Sequence, residues 1–255
     1  MSRVTAAALS SGLNKFCEYP RRLFKTVLRY KRTSSDVSPF RIIVMTEPDR
    51  FRVVIFGSAR LKPGDSVYEQ VRRLARLLGR DGMDVVTGGG PGLMEAANLG
   101  HREGREDPHS VDDSSKSYGL NIKLPFEEAA NPHVDIKHEF DRFSERLDHF
   151  MHLANAVVVA PGGVGTLLEL AYTWQLMQVE HICNIPIVLL GDMWEDFLRW
   201  VQDWPLEKQL LNPEDYEMLF LVRTCDEAFE VVRAAQRKFI DNPDDFCLQY
   251  RQYKL

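Results

Sequence analysis

The chain has 255 residues, 44% hydrophobic and 27% charged, a globular composition with room for one large domain. No apolar run approaches the roughly 20 residues of a membrane span. Cys17, Cys183, Cys225 and Cys247 form neither a CxxC pair nor a metal-ligand spacing, which predicts reduced thiols in a cytoplasmic protein and no bound metal. The net charge of −5 is uneven: residues 1–50 hold ten Lys/Arg against four Asp/Glu, a balance of +6, leaving −11 for the rest.

Residues 1–40 read as a basic arm and linker. Leu23 with Val27, and Phe24 with Leu28, lie at helical spacing among Arg21, Arg22, Lys25 and Arg29. The arm lacks the long apolar segment of a signal peptide. A surface helix packed on the body or on a partner subunit accounts for it; binding to an acidic surface or nucleic acid is the sharper alternative. The body is acidic, and a nucleic-acid partner is not expected for it. Ser34 to Pro39 reads as the linker.

Arg52 to Phe56 predicts a strand, ending at Gly57-Ser58-Ala59-Arg60. Val67 to Leu78 carries apolar residues at helical spacing and stops at Gly79. Asp84 to Thr87 predicts a second strand, which runs into Gly88-Gly89-Gly90-Pro91-Gly92; a helix begins at Leu93. His101 to Lys116 is polar and reads as a mobile loop whose His101 and His109 are solvated. Strands follow at 118–122 and 134–138, with a loop at 125–132 between them. A helix spans 143–153 and carries Arg146.

Ala156 begins another strand. It is followed by Pro161-Gly162-Gly163-Val164-Gly165-Thr166 and a helix running to Gln178. Ile187 to Gly191 and Leu219 to Val222 read as strands, 193–201 and 226–239 as helices, and 241–255 as a polar tail. The alternation of strand, loop and helix predicts an α/β, Rossmann-like, doubly wound parallel sheet with helices on both faces over residues 41–240. Two glycine-rich turns on neighbouring strands would face one crevice at the carboxyl edge of such a sheet.

Neither turn is a standard phosphate fingerprint. The first lacks the third glycine of GxGxxG, and no GxxxxGK[ST] is present. Alone, Gly88 to Gly92 fits a tight strand–helix turn. Thr166-Leu167-Leu168-Glu169 fits the capping box T-x-x-E equally well. The second turn also opens a helix, whose free N–H groups and dipole suit a phosphate.

Together, the GGG turn leading into Gly92-Leu93-Met94 and the PGGxGTxxE run ending at Glu169 resemble the LOG family. Its members are cytokinin riboside 5′-monophosphate phosphoribohydrolases and bacterial nucleotide 5′-monophosphate nucleosidases, formerly labelled lysine decarboxylases. The resemblance covers roughly residues 50–240. It implies a catalytic pair, Arg146 and Glu169, and a substrate pocket built from Ser58, Gly88, Gly89, Gly90, Gly92, Met94, Gly162, Gly163, Gly165 and Thr166.

It also implies a nucleoside 5′-monophosphate substrate, no cofactor, and a homodimer or higher homo-oligomer. Leu147 stands where the plant-type enzymes often have lysine, Leu168 where they often have a second acid, and the first turn is one residue shorter. The Arg146-Leu147 pair and the GGGPG turn resemble the larger bacterial purine-nucleotide nucleosidases and favour a purine over a cytokinin. A non-catalytic carrier of nucleotide or molybdenum cofactor on the same fold is the alternative. A pyridoxal-phosphate decarboxylase finds no supporting lysine context.

Overall fold

The computed structural model describes residues 50–123 and 130–241. The basic arm, its linker, the loop at 124–129 and the tail beyond Asp241 lie outside the described residues.

Among the described residues seven strands form one all-parallel sheet: β1 (Arg52–Phe56), β2 (Asp84–Thr87), β3 (Ser117–Ile122), β4 (Ile136–Phe140), β5 (Ala156–Val159), β6 (Ile187–Leu190) and β7 (Leu219–Val222). Their order is β4-β3-β2-β1-β5-β6-β7. The central strands are continuous apolar runs because both faces are covered. Val53, Val54, Val85, Val86, Val157 and Val158 have no exposed surface. The outer strand β4 alternates instead. Ile136, His138 and Phe140 turn inward, while Lys137 and Glu139 are exposed and paired at 2.7 Å. Charge of this kind keeps an open edge from recruiting another strand.

On one face, α1 (Ser66–Arg80), α2 (Leu93–Arg105) and α7 (Cys225–Asp241) bury Val71, Leu74, Leu78, Ala96, Ala228 and Val232 against Val53, Ile55, Val85 and Val158. On the other face lie α3 (Phe143–Leu153) and α4 (Val164–Gln178), where Phe56 meets Phe150 edge-on at 5.0 Å. Next to α4 stands α5 (Met193–Val201), with Phe197 6.4 Å from Trp174. The expected doubly wound α/β architecture is therefore present. Gln202–Leu206 add a π-helical turn around Pro205, and Pro213–Tyr216 a short helix α6 with Pro213 at its start. Neither carries a periodicity long enough to be read from sequence.

Three local readings are corrected. The helix α2 runs to Arg105, so His101 is not in a solvated loop. Gly100 and Gly104 allow this: a Cβ on either would collide with the backbone of α1 at Arg72 or Arg76. The close crossing carries His101 fully inside, with Nε2 3.0 Å from the Met83 carbonyl oxygen. Burial lowers its pKa to about 4. His109 is exposed, as expected. The fourth strand starts two residues later than read, at Ile136. Cys225 is a free buried thiol, but Cys183 is disulfide-bonded, against the expectation of four reduced thiols.

Strand order also changes how the two glycine turns relate. Strands β2 and β5 are not neighbours; β1 lies between them. The order reverses between β1 and β5, the position where open parallel sheets form a ligand crevice.

Candidate functional site

The loop after β1 ties the two turns together. Ser58 N–H donates to the Pro161 carbonyl at 3.1 Å, and the Ser58 carbonyl accepts from Leu93 N–H at 2.9 Å. Gly92 sits at φ +71°, and a Cβ there would lie 2.8 Å from Ala59 Cα. The close approach of the two loops therefore depends on glycine at this position.

Arg146 projects from α3 across the first turn. Its Nε donates to the Leu120 carbonyl at 2.7 Å, and its guanidinium lies 5.1 Å from the Phe150 ring centre. A Cβ on Gly88 would land on Arg146 Nη2 and come within 2.7 Å of Met94 Sδ. Gly90 is similarly covered by Met94 Cε at 2.9 Å. Sequence alone offers no sign that Gly88 lacks a side chain to make room for an arginine 58 residues later.

Glu169 enters from α4. Its Oε1 is 3.7 Å from Arg146 Nη2, and the two side chains keep only 13% and 11% of their surface. Burial pushes the Glu169 carboxyl up, and the Arg146 charge pulls it back, leaving a pKa of about 7. The α4 helix starts at Val164 with Gly163 as its N-cap and no side-chain cap bond. Thr166 is thus the third helical residue, and Glu169 lies in the second turn. The capping-box reading of this pair is not realised.

The first bond of α4 runs from Leu167 N–H to the Gly163 carbonyl. Val164, Gly165 and Thr166 N–H therefore have no partner within the helix. A Cβ on Gly163 or Gly165 would meet nothing within 4 Å, whereas one on Gly162 would lie 2.6 Å from Thr166 Cβ. The helix start is open on one side and tightly packed on the other. Thr166 is buried.

Sequence reasoning missed the groups that hold the first turn. Asn131 Nδ2 donates to the carbonyls of Gly89 at 3.1 Å and Gly90 at 2.9 Å, and to Asn98 Oδ1 at 3.0 Å. Thr87 Oγ1 donates to Asn98 Oδ1 at 2.9 Å and accepts from Gly89 N–H at 3.0 Å. Asn98 lies in the run after the GGG turn and could have been marked by its place in that motif. Asn131 stands alone in a loop, and no spacing distinguishes it.

The expected site residues lie on the loops after β1, β2 and β5 and on α2, α3 and α4. Ser58 is hydrogen-bonded to Pro161 and to Leu93 and packs beside Gly92. Gly88, Met94, Arg146 and Glu169 form one contiguous cluster. Gly162 to Thr166 form the open helix start.

Residues 81–234 match the model of a family described as possible lysine decarboxylase. Over 189 residues the chain is 26% identical to the pyrimidine/purine nucleotide 5′-monophosphate nucleosidase of Escherichia coli K12, covering 72% of this chain and 40% of that protein. The chain thus spans well under half the length of the curated relative.

Among solved structures, the molybdenum cofactor binding protein of Rippkaea orientalis superposes with a TM-score of 0.52 at 17% identity. That match covers 74% of this chain and 98% of the other. The molybdenum cofactor carrier protein of Chlamydomonas reinhardtii gives 0.52 at 18% identity, covering 74% and 99%. Both share the fold with this chain. No helix among the described residues is long and apolar enough to cross a membrane.

Proposed function

We propose that this chain, which belongs to the LOG family described as possible lysine decarboxylases, hydrolyses nucleoside 5′-monophosphates to free base and ribose 5-phosphate. The observation that carries the reading is the largely shielded Arg146–Glu169 pair at 3.7 Å, set between the GGG turn and the open start of α4. The distant E. coli nucleosidase supports it at the level of reaction class.

In this reading the 5′-phosphate sits on the N–H groups of Val164, Gly165 and Thr166, where the helix dipole favours an anion. Glu169 then meets the ribose. As the bond from C1′ to the base nitrogen stretches, positive charge grows on the sugar. A carboxylate in a dry, fixed position stabilises that charge and orients the attacking water. Water oxygen bonds to C1′, the base leaves with the bonding electrons, and the water's proton balances the departing base.

Arg146 acts on Glu169. Its charge favours the ionised carboxylate, and its bond to the Leu120 carbonyl fixes its direction. The preference for a purine over a cytokinin, and a homodimeric assembly, belong to the same proposal.

A lysine decarboxylase holds pyridoxal phosphate through a lysine Schiff base. The groups described above at this crevice are arginine, glutamate, threonine, asparagine and glycine. A carrier on the same fold is the competing reading, favoured by the two molybdenum-cofactor proteins that share the architecture. Incubating purified protein with AMP, GMP, CMP and a cytokinin nucleotide separates the two readings. An enzyme releases free base, whereas a carrier binds nucleotide and releases none.

A further inference from the structure

We infer that Asn131 is a positioning residue that sets the shape of the first glycine turn for nucleotide binding, an inference that rests on the nucleosidase reading. Gly89 is held at φ +73° with its carbonyl accepting from both the backbone N–H of Asn131, at 2.8 Å, and its Nδ2. The Gly90 carbonyl takes the same amide. The carbonyls of two successive turn residues are thus satisfied by one side chain. Gly90 and Gly92 N–H, by contrast, have no hydrogen-bond partner among the described residues. A turn with its acceptors tied down and its donors free matches an anionic or carbonyl ligand.

The amide orientation follows from the network. Two backbone carbonyls, those of Gly89 and Gly90, face one end of the Asn131 side chain, so that end must be the nitrogen. Its Oδ1 then accepts from His133 N–H at 3.1 Å. Asn98 must in turn present oxygen to Asn131 and Thr87. Both asparagine side chains and Thr87 are buried, so water cannot replace a lost donor without rearrangement. Asn131 is also hydrogen-bonded to the turn that carries Gly88, on which Arg146 rests. Its side chain bonds to Gly89, Gly90, Asn98 and His133, all on the turn or its support, so its main effect falls on binding.

The test is steady-state hydrolysis of AMP by wild type, Asn131→Ala and Asn131→Asp. The Asp variant keeps the shape but replaces the donor with an acceptor. Both variants raise KM at least tenfold with kcat within threefold of wild type. Amide exchange at Gly88 to Gly92 speeds up in both. Thr87→Val, isosteric on a buried strand, raises KM in the same direction and covers the case of Asn131 variants that do not fold.

An Asn131→Asp protein with wild-type KM overturns the inference while leaving the nucleosidase reading intact. So does a loss confined to kcat, or a folded Thr87→Val with unchanged KM. Wild type that neither binds nor cleaves AMP overturns both.

Discussion

Arg146 Nη2 lies 3.7 Å from Glu169 Oε1, and the same guanidinium covers the bare Cα of Gly88. One arginine therefore couples the glycine turn after β2 to the carboxylate on α4, although the two strands that lead to them are separated by β1.

That coupling predicts a pH profile. The free protein holds Glu169 at about 7, with burial raising it and Arg146 lowering it. The proposed role needs the carboxylate, so kcat/KM climbs as pH rises through about 7. Arg146→Gln removes the lowering influence and moves this limb to higher pH, in addition to its direct loss of rate. A limb that stays in place in Arg146→Gln contradicts the coupling. The measurement is kcat/KM for AMP from pH 5 to 9, which reports groups of the free enzyme.

The same carboxyl affects stability. Its folded pKa lies above the usual 4.5. The protonated form is therefore favoured in the native state, and stability present at low pH is lost as pH rises through about 7. The full shift corresponds to roughly 3 kcal/mol. Glu169→Gln, which cannot ionise, is expected to melt above wild type at pH 8 and close to it at pH 4.5. Equal displacement at both values would remove the case for a destabilised buried carboxylate.

His101 gives the opposite slope. Burial holds it neutral with a pKa of about 4, below its usual 6.5. The unfolded chain takes up the proton first, so this contribution is complete above pH 6.5 and is lost as pH falls toward 4. His101→Gln lowers stability at pH 7 but loses less between pH 7 and 5 than wild type does. Denaturant titrations at the two pH values read this directly, and difference curves separate it from Glu169.

The glycines divide into two classes. Gly88→Ala places a Cβ on Arg146, which is held by the Leu120 carbonyl and cannot retreat freely. Displacing a catalytic group by about 1 Å can cost on the order of 10²-fold in rate. Gly165→Ala meets nothing within 4 Å and gains about 0.5 kcal/mol of helix stability. Yet its methyl stands where phosphate is proposed to bind, so KM rises although Tm does not fall. A Gly88→Ala protein with wild-type kcat would show that Arg146 tolerates displacement.

The sequence made the sheet and the two turns legible because they depend on local patterns. For Arg52–Phe56, Phe143–Leu153, Met193–Val201 and Leu219–Val222 the sequence predicts the same boundaries that the structure shows. His101 was misread because its burial depends on Gly100 and Gly104 meeting another helix, a long-range contact with no periodicity of its own. The T-x-x-E match of Thr166 and Glu169 fits a cap by spacing, but α4 starts two residues before Thr166. Asn131 and the Leu120 carbonyl could not be read at all, since a lone loop asparagine and a backbone oxygen carry no signature.

The Arg146–Glu169 pair is proposed to cleave the glycosidic bond. Quantifying base and ribose 5-phosphate released from AMP by wild type, Glu169→Gln and Arg146→Gln tests it most directly. Wild type is expected to release equal amounts of adenine and ribose 5-phosphate, and each variant to lose at least about 10²-fold in rate while still binding AMP. Adenosine and phosphate as products would contradict it, as would no cleavage by a wild type that binds AMP, or a Glu169→Gln protein as fast as wild type.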